Sequence, residues 1–294
     1  MTEEAVISSQ QVCRNFGDKE VLRGVDLTIP RGSVVGLLGK NAAGKTTLIK
    51  CLLGLLRIHS GTLRVFGEDP WWLSAASKAR LGYVPQEVAL YPWMRVEQIL
   101  QYTAAFYPHW NWEMVHRLVR QWELPPSDRV GPLSTGQLQK LALVLALGHE
   151  PELLVLDEPV ASLDPAARRD FLRTLLDIAQ SETRTILFST HITSDLERVA
   201  DRVAILRDGR IVFHDELDVL KESVKRLRIT STGDLPESFA VRGALRTEVA
   251  GRSALVAASG VTSSLIDDLR TTWDASVDVE SLSLEDIFLE MHHG

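Results

Sequence analysis

Gly39-Lys40-Asn41-Ala42-Ala43-Gly44-Lys45-Thr46 has the spacing G-x-x-x-x-G-K-[ST]. It stands where the short apolar run Ser33 to Gly39 gives way to a helical pattern from Lys45. That combination is chemistry for a polyphosphate. Glycines let backbone N–H groups, including those of Asn41, Ala42 and Ala43, wrap phosphate oxygens, while Lys45 neutralises β- and γ-phosphate charge. Thr46 offers a hydroxyl to Mg²⁺, and Thr47 is set to reach the α-phosphate. Ala42 stands where many such loops carry a further glycine. If its φ is positive, strain of roughly 1 kcal/mol is expected, weakening nucleotide binding up to about tenfold.

Two carboxylates close the apolar stretch "PELLVLDEP". Asp157 and Glu158 then sit at the carboxyl end of a buried strand, the side of an open α/β sheet where ligands bind. Asp157 would hold Mg²⁺ through water, and Glu158 would orient and deprotonate an attacking water. The competing reading is a carboxylate pair capping a helix start before Pro159. His191 follows the apolar stretch "RTILFST" and is within the same end of the sheet, where it could contact a γ-phosphate. Alone it reads as an ordinary polar histidine, and its weight comes from its companions.

The elements that must position these groups are legible in the hydrophobic pattern. Val6 to Ile29 reads as an antiparallel meander with Gly17-Asp18 at a turn. "SVVGLLG", "PELLVLDEP" and "RTILFST" read as buried parallel strands, and "RVAILRDGRIVFHD" as a hairpin about Asp208-Gly209. Leu48, Cys51, Leu52 and Leu55 fall at helical spacing, as do Val115, Leu118, Val119 and Trp122. "DPAARRDFLRTLLDIAQ" and "TSDLERVA" are further helices, so strands and helices alternate as in a parallel sheet covered on its faces. Five of the seven tryptophans lie between Trp71 and Trp112, with Trp122 just beyond. They read either as a tryptophan-stiffened helical core or as a docking surface for a partner. Past Lys225, a strand, a Gly-centred hairpin, a helix, a strand and a final helix capped by Ser283 suggest a small α/β appendage.

Composition narrows the function classes. At 294 residues with 45% hydrophobic content, the chain can bury a sizeable core. A net charge of −7 gives no broad attraction to a nucleic-acid backbone, and no nucleic-acid partner is expected. The two cysteines, Cys13 and Cys51, have no metal spacing, and with no secretory leader the chain reads as reduced and cytoplasmic. The most apolar segment, "LALVLALG", is under half of the roughly 18 residues that span a bilayer. His292 and His293 lack companion ligands and read as an exposed end.

Leu133-Ser134-Thr135-Gly136-Gln137 completes the pattern. From Val6 to about Lys221 the chain resembles the ATP-binding cassette (ABC) family, whose signature is Leu-Ser-Gly-Gly-Gln. The family's order of phosphate loop, glutamine loop, signature, acidic strand and histidine is also the order here. The resemblance implies an α/β fold: a P-loop NTPase parallel sheet, an antiparallel β subdomain and a helical subdomain at about 87–150. The cassette would occupy residues 1–224 and the α/β appendage residues 225–294. It implies an ATPase using ATP and Mg²⁺, with Lys45, Gln86, Glu158 and His191 catalytic. Phe16 matches the aromatic that stacks on adenine, although tyrosine is commoner there. Gln86 matches the glutamine that senses Mg²⁺ and γ-phosphate, beside Thr46 and Asp157 at the metal. Ser134, Gly136 and Gln137 match the signature that acts on nucleotide bound by a second cassette, with Thr135 in place of a glycine. Ser134 can cap a helix beginning near Gln137, which makes an anion site with no phosphate of its own. Ser162-Leu163-Asp164 matches the segment that crosses such a dimer.

"SLSLEDIFLEM" resembles the tail of ATP-binding subunits of ABC-2-type multidrug and antibiotic exporters, and "FYPHWNWEMVHRLVRQWEL" is similar to a bacterial Gram-positive branch of that group. The expected partners are therefore separately encoded transmembrane permease subunits, docking by the Trp-rich block, and a second cassette, identical or different. The chain would sit at the inner face of the cell membrane. An importer ATPase and a soluble ABC ATPase acting on nucleic acid or ribosomes are the alternatives. Only about ninety residues separate the phosphate loop from the signature, with no long coiled coil and a single cassette, which disfavours the soluble class.

Overall fold

The computed structural model describes residues 4–161, 163–179, 184–236 and 238–293. Ser162 and Gln180, and the side chains of His292 and His293, lie outside the described residues. The chain divides into two compact units, Met1–His214 and Asp215–Gly294.

In the first unit, β1 (Ala5–Phe16) and β2 (Lys19–Pro30) form an antiparallel pair, turning at Gly17-Asp18. β3 (Val34–Leu38) is buried at every position and leads through the loop into α1 (Lys45–Leu52). Leu48, Cys51 and Leu52 are buried as the helical spacing predicts, whereas Leu55 falls beyond the helix end and is exposed. β4 (Ser60–Val65) pairs with β1, giving a three-stranded sheet in the order β2-β1-β4. After α2 (Ala75–Ala79), β5 (Leu81–Val84) enters a second sheet.

The helical block follows: α3 (Val96–Ala104), α4 (Trp112–Gln121) and α5 (Thr135–Leu147). Val115, Leu118, Val119 and Trp122 are all buried. α5 is apolar nearly all round and buries Leu141 through Leu147, as a helix enclosed by its neighbours should. The reading of a tryptophan-stiffened core fails for most of the rings. Trp122 is buried and Trp110 half-buried, while Trp71, Trp72, Trp93 and Trp112 are exposed.

β6 (Leu153–Asp157), α6 (Pro165–Ala179), β7 (Thr185–Thr190), α7 (Thr193–Val199), β8 (Arg202–Arg207) and β9 (Arg210–Glu216) complete the second sheet, in the order β5-β6-β7-β3-β8-β9. Its pairs from β5 to β8 are parallel. Non-consecutive neighbours such as β7 and β3 bring residues far apart in sequence to one sheet end. Leu37 is beside Ser189, and Asp157 is beside Ser189 on the other flank. At the opposite end, Glu152 accepts hydrogen bonds from Arg80 at 2.7 and 2.9 Å and from Arg31 at 2.7 Å, tying the entries of β5 and β6 to the exit of β2.

The second unit has α8 (Leu217–Ser223), β10 (Val224–Ser231), β11 (Ala244–Ala250), β12 (Ser253–Ser259), α9 (Ser263–Trp273), β13 (Ala275–Ser281) and α10 (Leu284–His293). The strands form an antiparallel sheet in the order β11-β12-β10-β13. Leu227, Ile229, Val256 and Val277 pack against Leu265, Ile266, Leu269 and Trp273 of α9. Ser283 caps α10, its Oγ accepting from Asp286 N at 3.1 Å.

Candidate functional site

The phosphate loop turns sharply between β3 and α1 because two positions take positive φ. Gly44 has φ 109, a value that suits glycine, and a Cβ there would stand 3.1 Å from Leu22 Cδ2 and 3.2 Å from Val21 O. Ala42 has φ 65, so the alanine does occupy the left-handed region anticipated from the sequence. Lys45 folds back over the loop, donating from Nζ to Gly39 O at 2.7 Å and to Lys40 O at 3.3 Å. Its ammonium is also 3.0 Å from Glu158 Oε1, and both side chains are only 6% exposed.

The two carboxylates at the end of β6 are held in different ways. Asp157 is fully buried and accepts at Oδ1 from Ser189 Oγ, 2.8 Å, and from Thr46 Oγ1, 3.2 Å. Burial pushes its carboxyl above the usual range, against the opposing pull of those two hydrogen bonds. Glu158 has φ 49, which turns its side chain away from the strand direction. One of its oxygens meets Lys45 and the other meets His191 Nδ1 at 2.7 Å. The carboxylate pair is thus a buried, wired pair and not a helix cap before Pro159.

Mg²⁺ is a hard cation that takes oxygen ligands and is commonly held by one or two carboxylates together with substrate phosphates. Asp157 Oδ2 is buried without a hydrogen-bond partner, and the Thr46 hydroxyl lies against the same carboxylate. These groups fit the ion. Beside them opens a cavity of about 320 Å³, lined by Asn41, Ala42, Gly44, Lys45, Thr46, Thr47, Gln86 and Glu158, together with Lys19 and Val21. Lys19 and Val21 were not singled out from the sequence, because nothing local marks a β2 residue as facing a loop about twenty positions away. Ser189 was also missed, and its only sequence signal is a hydroxyl residue two places before His191 at the end of an apolar strand.

Residues 22–161 match the family described as ABC transporter. The Nod factor export ATP-binding protein I of Burkholderia lata is 36% identical over 228 residues, covering 74% of this chain and 73% of that protein. This chain belongs to the ABC transporter ATP-binding proteins. The linearmycin resistance ATP-binding protein LnrL of Bacillus subtilis is 29% identical, with 70% of this chain and 68% of that protein covered. A solved structure of the ATP-binding subunit of an ABC transporter superposes with a TM-score of 0.67 at 29% identity, covering 74% of this chain and 92% of that one. As an ABC ATP-binding subunit, the protein hydrolyses ATP to power transport.

Of the residues expected in the ABC site, Gly39, Ala43, Asp157 and His191 do not line the cavity, although Asp157 and His191 bond to Thr46 and Glu158, which do. Phe16, Ser134, Gly136 and Gln137 do not line it either. Phe16 lies at the end of β1 with its ring 47% exposed and the Arg14 guanidinium 4.7 Å from its centroid. Ser134, Gly136 and Gln137 lie at the start of α5, which begins at Thr135, two residues sooner than expected. Ser134 Oγ accepts from Gln137 N at 3.2 Å, while Gln137 Oε1 accepts from Ser134 N at 3.0 Å, a reciprocal capping box. That use leaves the serine's proton available to an outside acceptor. Leu163 Cδ2 would stand 3.5 Å from a Cβ at Gly136, and Asp164 caps α6 through Ala166 N and Ala167 N. Elsewhere in the ABC unit an apolar groove of about 470 Å³ runs between the helical block and the sheet, with Leu53, Leu73, Tyr83, Leu90, Tyr107 and Leu145 on its walls. No helix among the described residues is long and apolar enough to cross a membrane.

Proposed function

We propose that this subunit drives the export of a drug, antibiotic or similar amphipathic compound through separately encoded transmembrane permease subunits. Supporting the export direction are the Nod factor export and linearmycin resistance relatives and the tail from Ser281 to Met291. The unit up to His214 acts as the nucleotide-binding cassette and the remainder as an accessory domain. The cassette works at the inner face of the cell membrane, its apolar groove receiving a cytoplasmic helix of the permease.

The observation that carries the catalytic reading is the double engagement of Glu158, with Lys45 on one oxygen and His191 on the other. In this reading Glu158 is the general base for the attacking water, and Lys45 exchanges the carboxylate for β- and γ-phosphate oxygens when ATP enters. His191 and Gln86 contact the γ-phosphate side of the site, and Asn41 through Thr47 wrap the phosphates with backbone N–H groups. Asp157, Thr46 and Gln86 would hold Mg²⁺, which would supply charge neutralisation to the phosphates. Phe16 stacks on the adenine. Ser134, Gly136 and Gln137 complete the ATP site of a second cassette, so two ATP molecules are sandwiched and their hydrolysis reopens the pair.

The test is co-purification and transport. The chain, expressed with the membrane protein of its neighbouring reading frame, should be recovered with it and should lower accumulation of amphipathic compounds in an ATP-dependent way. Repeated recovery with ribosomes, and no membrane partner, would favour the soluble class.

A further inference from the structure

Ser189 lies two residues before His191, at the end of β7, and is fully buried. Parallel pairing of β6 and β7 puts it directly beside Asp157. Its hydroxyl has one proton, and that proton goes to Asp157 Oδ1 at 2.8 Å. Its oxygen accepts the backbone N–H of Glu158 at 2.9 Å. A single buried oxygen therefore touches both the carboxylate that fits the metal and the backbone of the residue read as the base.

Each contact has a geometric consequence. With Ser189 and Thr46 both donating to Oδ1, the Asp157 carboxylate is held with that oxygen against the protein, and Oδ2 is left without a protein partner. Glu158 takes the left-handed conformation at φ 49, which a non-glycine residue seldom adopts without a specific anchor. The N–H donated to Ser189 is such an anchor, and the turn it fixes directs the side chain to Lys45 and His191.

We propose that Ser189 is a positioning residue that sets Asp157 with one oxygen reserved for Mg²⁺ and pins the Glu158 backbone in the turn that aims the general base. The proposal rests on the roles given to Asp157 and Glu158 above. It predicts that one substitution disturbs metal use and turnover together while leaving the grip of the phosphate loop on nucleotide intact.

The experiment compares the full wild-type chain with Ser189→Ala, which removes the hydroxyl at almost constant volume, and Ser189→Thr, which keeps it. Affinity for a fluorescent ATP analogue is measured in EDTA and across a Mg²⁺ titration, and ATP turnover is measured over the same titration. Ser189→Ala should bind the analogue in EDTA within twofold of wild type. Its Mg²⁺ midpoint should rise and its kcat should fall, each by roughly 10- to 100-fold, the range for removing a residue that orients a metal ligand. KM for ATP at saturating Mg²⁺ should stay within about threefold, and Ser189→Thr should recover most of both losses. Wild-type Mg²⁺ midpoint and kcat in Ser189→Ala would overturn the inference. So would equal impairment of both variants that follows a fall in melting temperature. Glu158→Gln run in parallel separates the two levels. If it is inactive while Ser189→Ala is normal, the inference about Ser189 alone fails; if it keeps full turnover, the reading of Glu158 as base fails.

Discussion

Lys45 Nζ and Glu158 Oε1 stand 3.0 Å apart in a nearly water-free setting, joining the phosphate loop to the end of β6 across the floor of the cavity. A buried ammonium and a buried carboxylate are each costly without a partner, and here each is the other's partner. In the proposed function phosphate oxygens would take Lys45 from this pair and leave Glu158 with His191. The ion pair is, in that proposal, the resting arrangement of the lysine and the base.

Glu158→Gln keeps the volume and a hydrogen-bonding partner for His191 while removing the carboxylate proposed as the base. Turnover should fall by on the order of 10²-fold or more. ATP binding should be kept or tightened, because Lys45 no longer has a competing carboxylate, and an ATP-dependent dimer should accumulate in size-exclusion chromatography. Unchanged turnover would remove Glu158 from its assigned role.

Ala42 carries its positive φ as part of the folded loop, so its cost belongs to the stability of the fold more than to nucleotide affinity. Left-handed backbone costs an L-residue roughly 1–2 kcal/mol, and the extra chain freedom of glycine when unfolded gives back about 0.4–1 kcal/mol. Ala42→Gly is therefore expected to raise the urea midpoint slightly, and Ala42→Val, with a β-branched side chain at the same φ, to lower it by more than about 1 kcal/mol. ATP titrations of Ala42→Gly should agree with wild type within about twofold. A tenfold tightening would instead return the strain to the binding step.

Gly148, just past α5, accepts the face of Trp110. A Cβ there would lie 2.2 to 2.5 Å from three atoms of that ring, so Gly148→Ala must displace it. The expected loss is about 1–3 kcal/mol by chemical denaturation, the range for overpacking. In a Trp110→Ala background the same alanine should cost almost nothing, a coupling that a double-mutant cycle measures directly. Additive losses would show that the ring is not what the glycine accommodates.

Glu152 is drawn from the ordinary 4.5 down to about 2, first by its hydrogen bonds with Arg80, opposed by burial, and further by those with Arg31. A carboxylate depressed in the folded state stabilises fully above its unfolded value, and that contribution is lost as pH falls from about 4.5 towards 2. The stability gap between wild type and Glu152→Gln should thus be constant from neutral pH to about 5 and shrink below 4.5. Urea midpoints across that range check it, and a gap still undiminished at about pH 3 would contradict it.

The local chemistry was legible because each motif is contiguous and sits at a junction that the sequence marks. Gly39 through Thr47 follow a uniformly apolar strand, Asp157 and Glu158 end another, and Ser134 to Gln137 open an apolar helix whose capping box is written in a serine and a glutamine three apart. Alternation and helical spacing likewise identified β1, β2, β10 and α4, since burial of one face is a local property of the chain. Their order along the chain, with the relatives, fixes the family.

What only the tertiary structure decided is which atoms meet. Thr46 reaches Asp157 across 111 positions, and Ser189 reaches Glu158 across 31, because the sheet order and the register of β6 against β7 bring them together. Register is a collective outcome of packing helices on both faces of the sheet, and no short window of sequence contains it. The same reason separates the tryptophans: composition cannot tell Trp122, covered in the helical block, from Trp72 and Trp93, which remain 74% and 66% exposed. The sequence determined which chemistry the chain carries; the fold decided that Glu158 turns out of its strand to lie between a lysine and a histidine, with a serine holding it there.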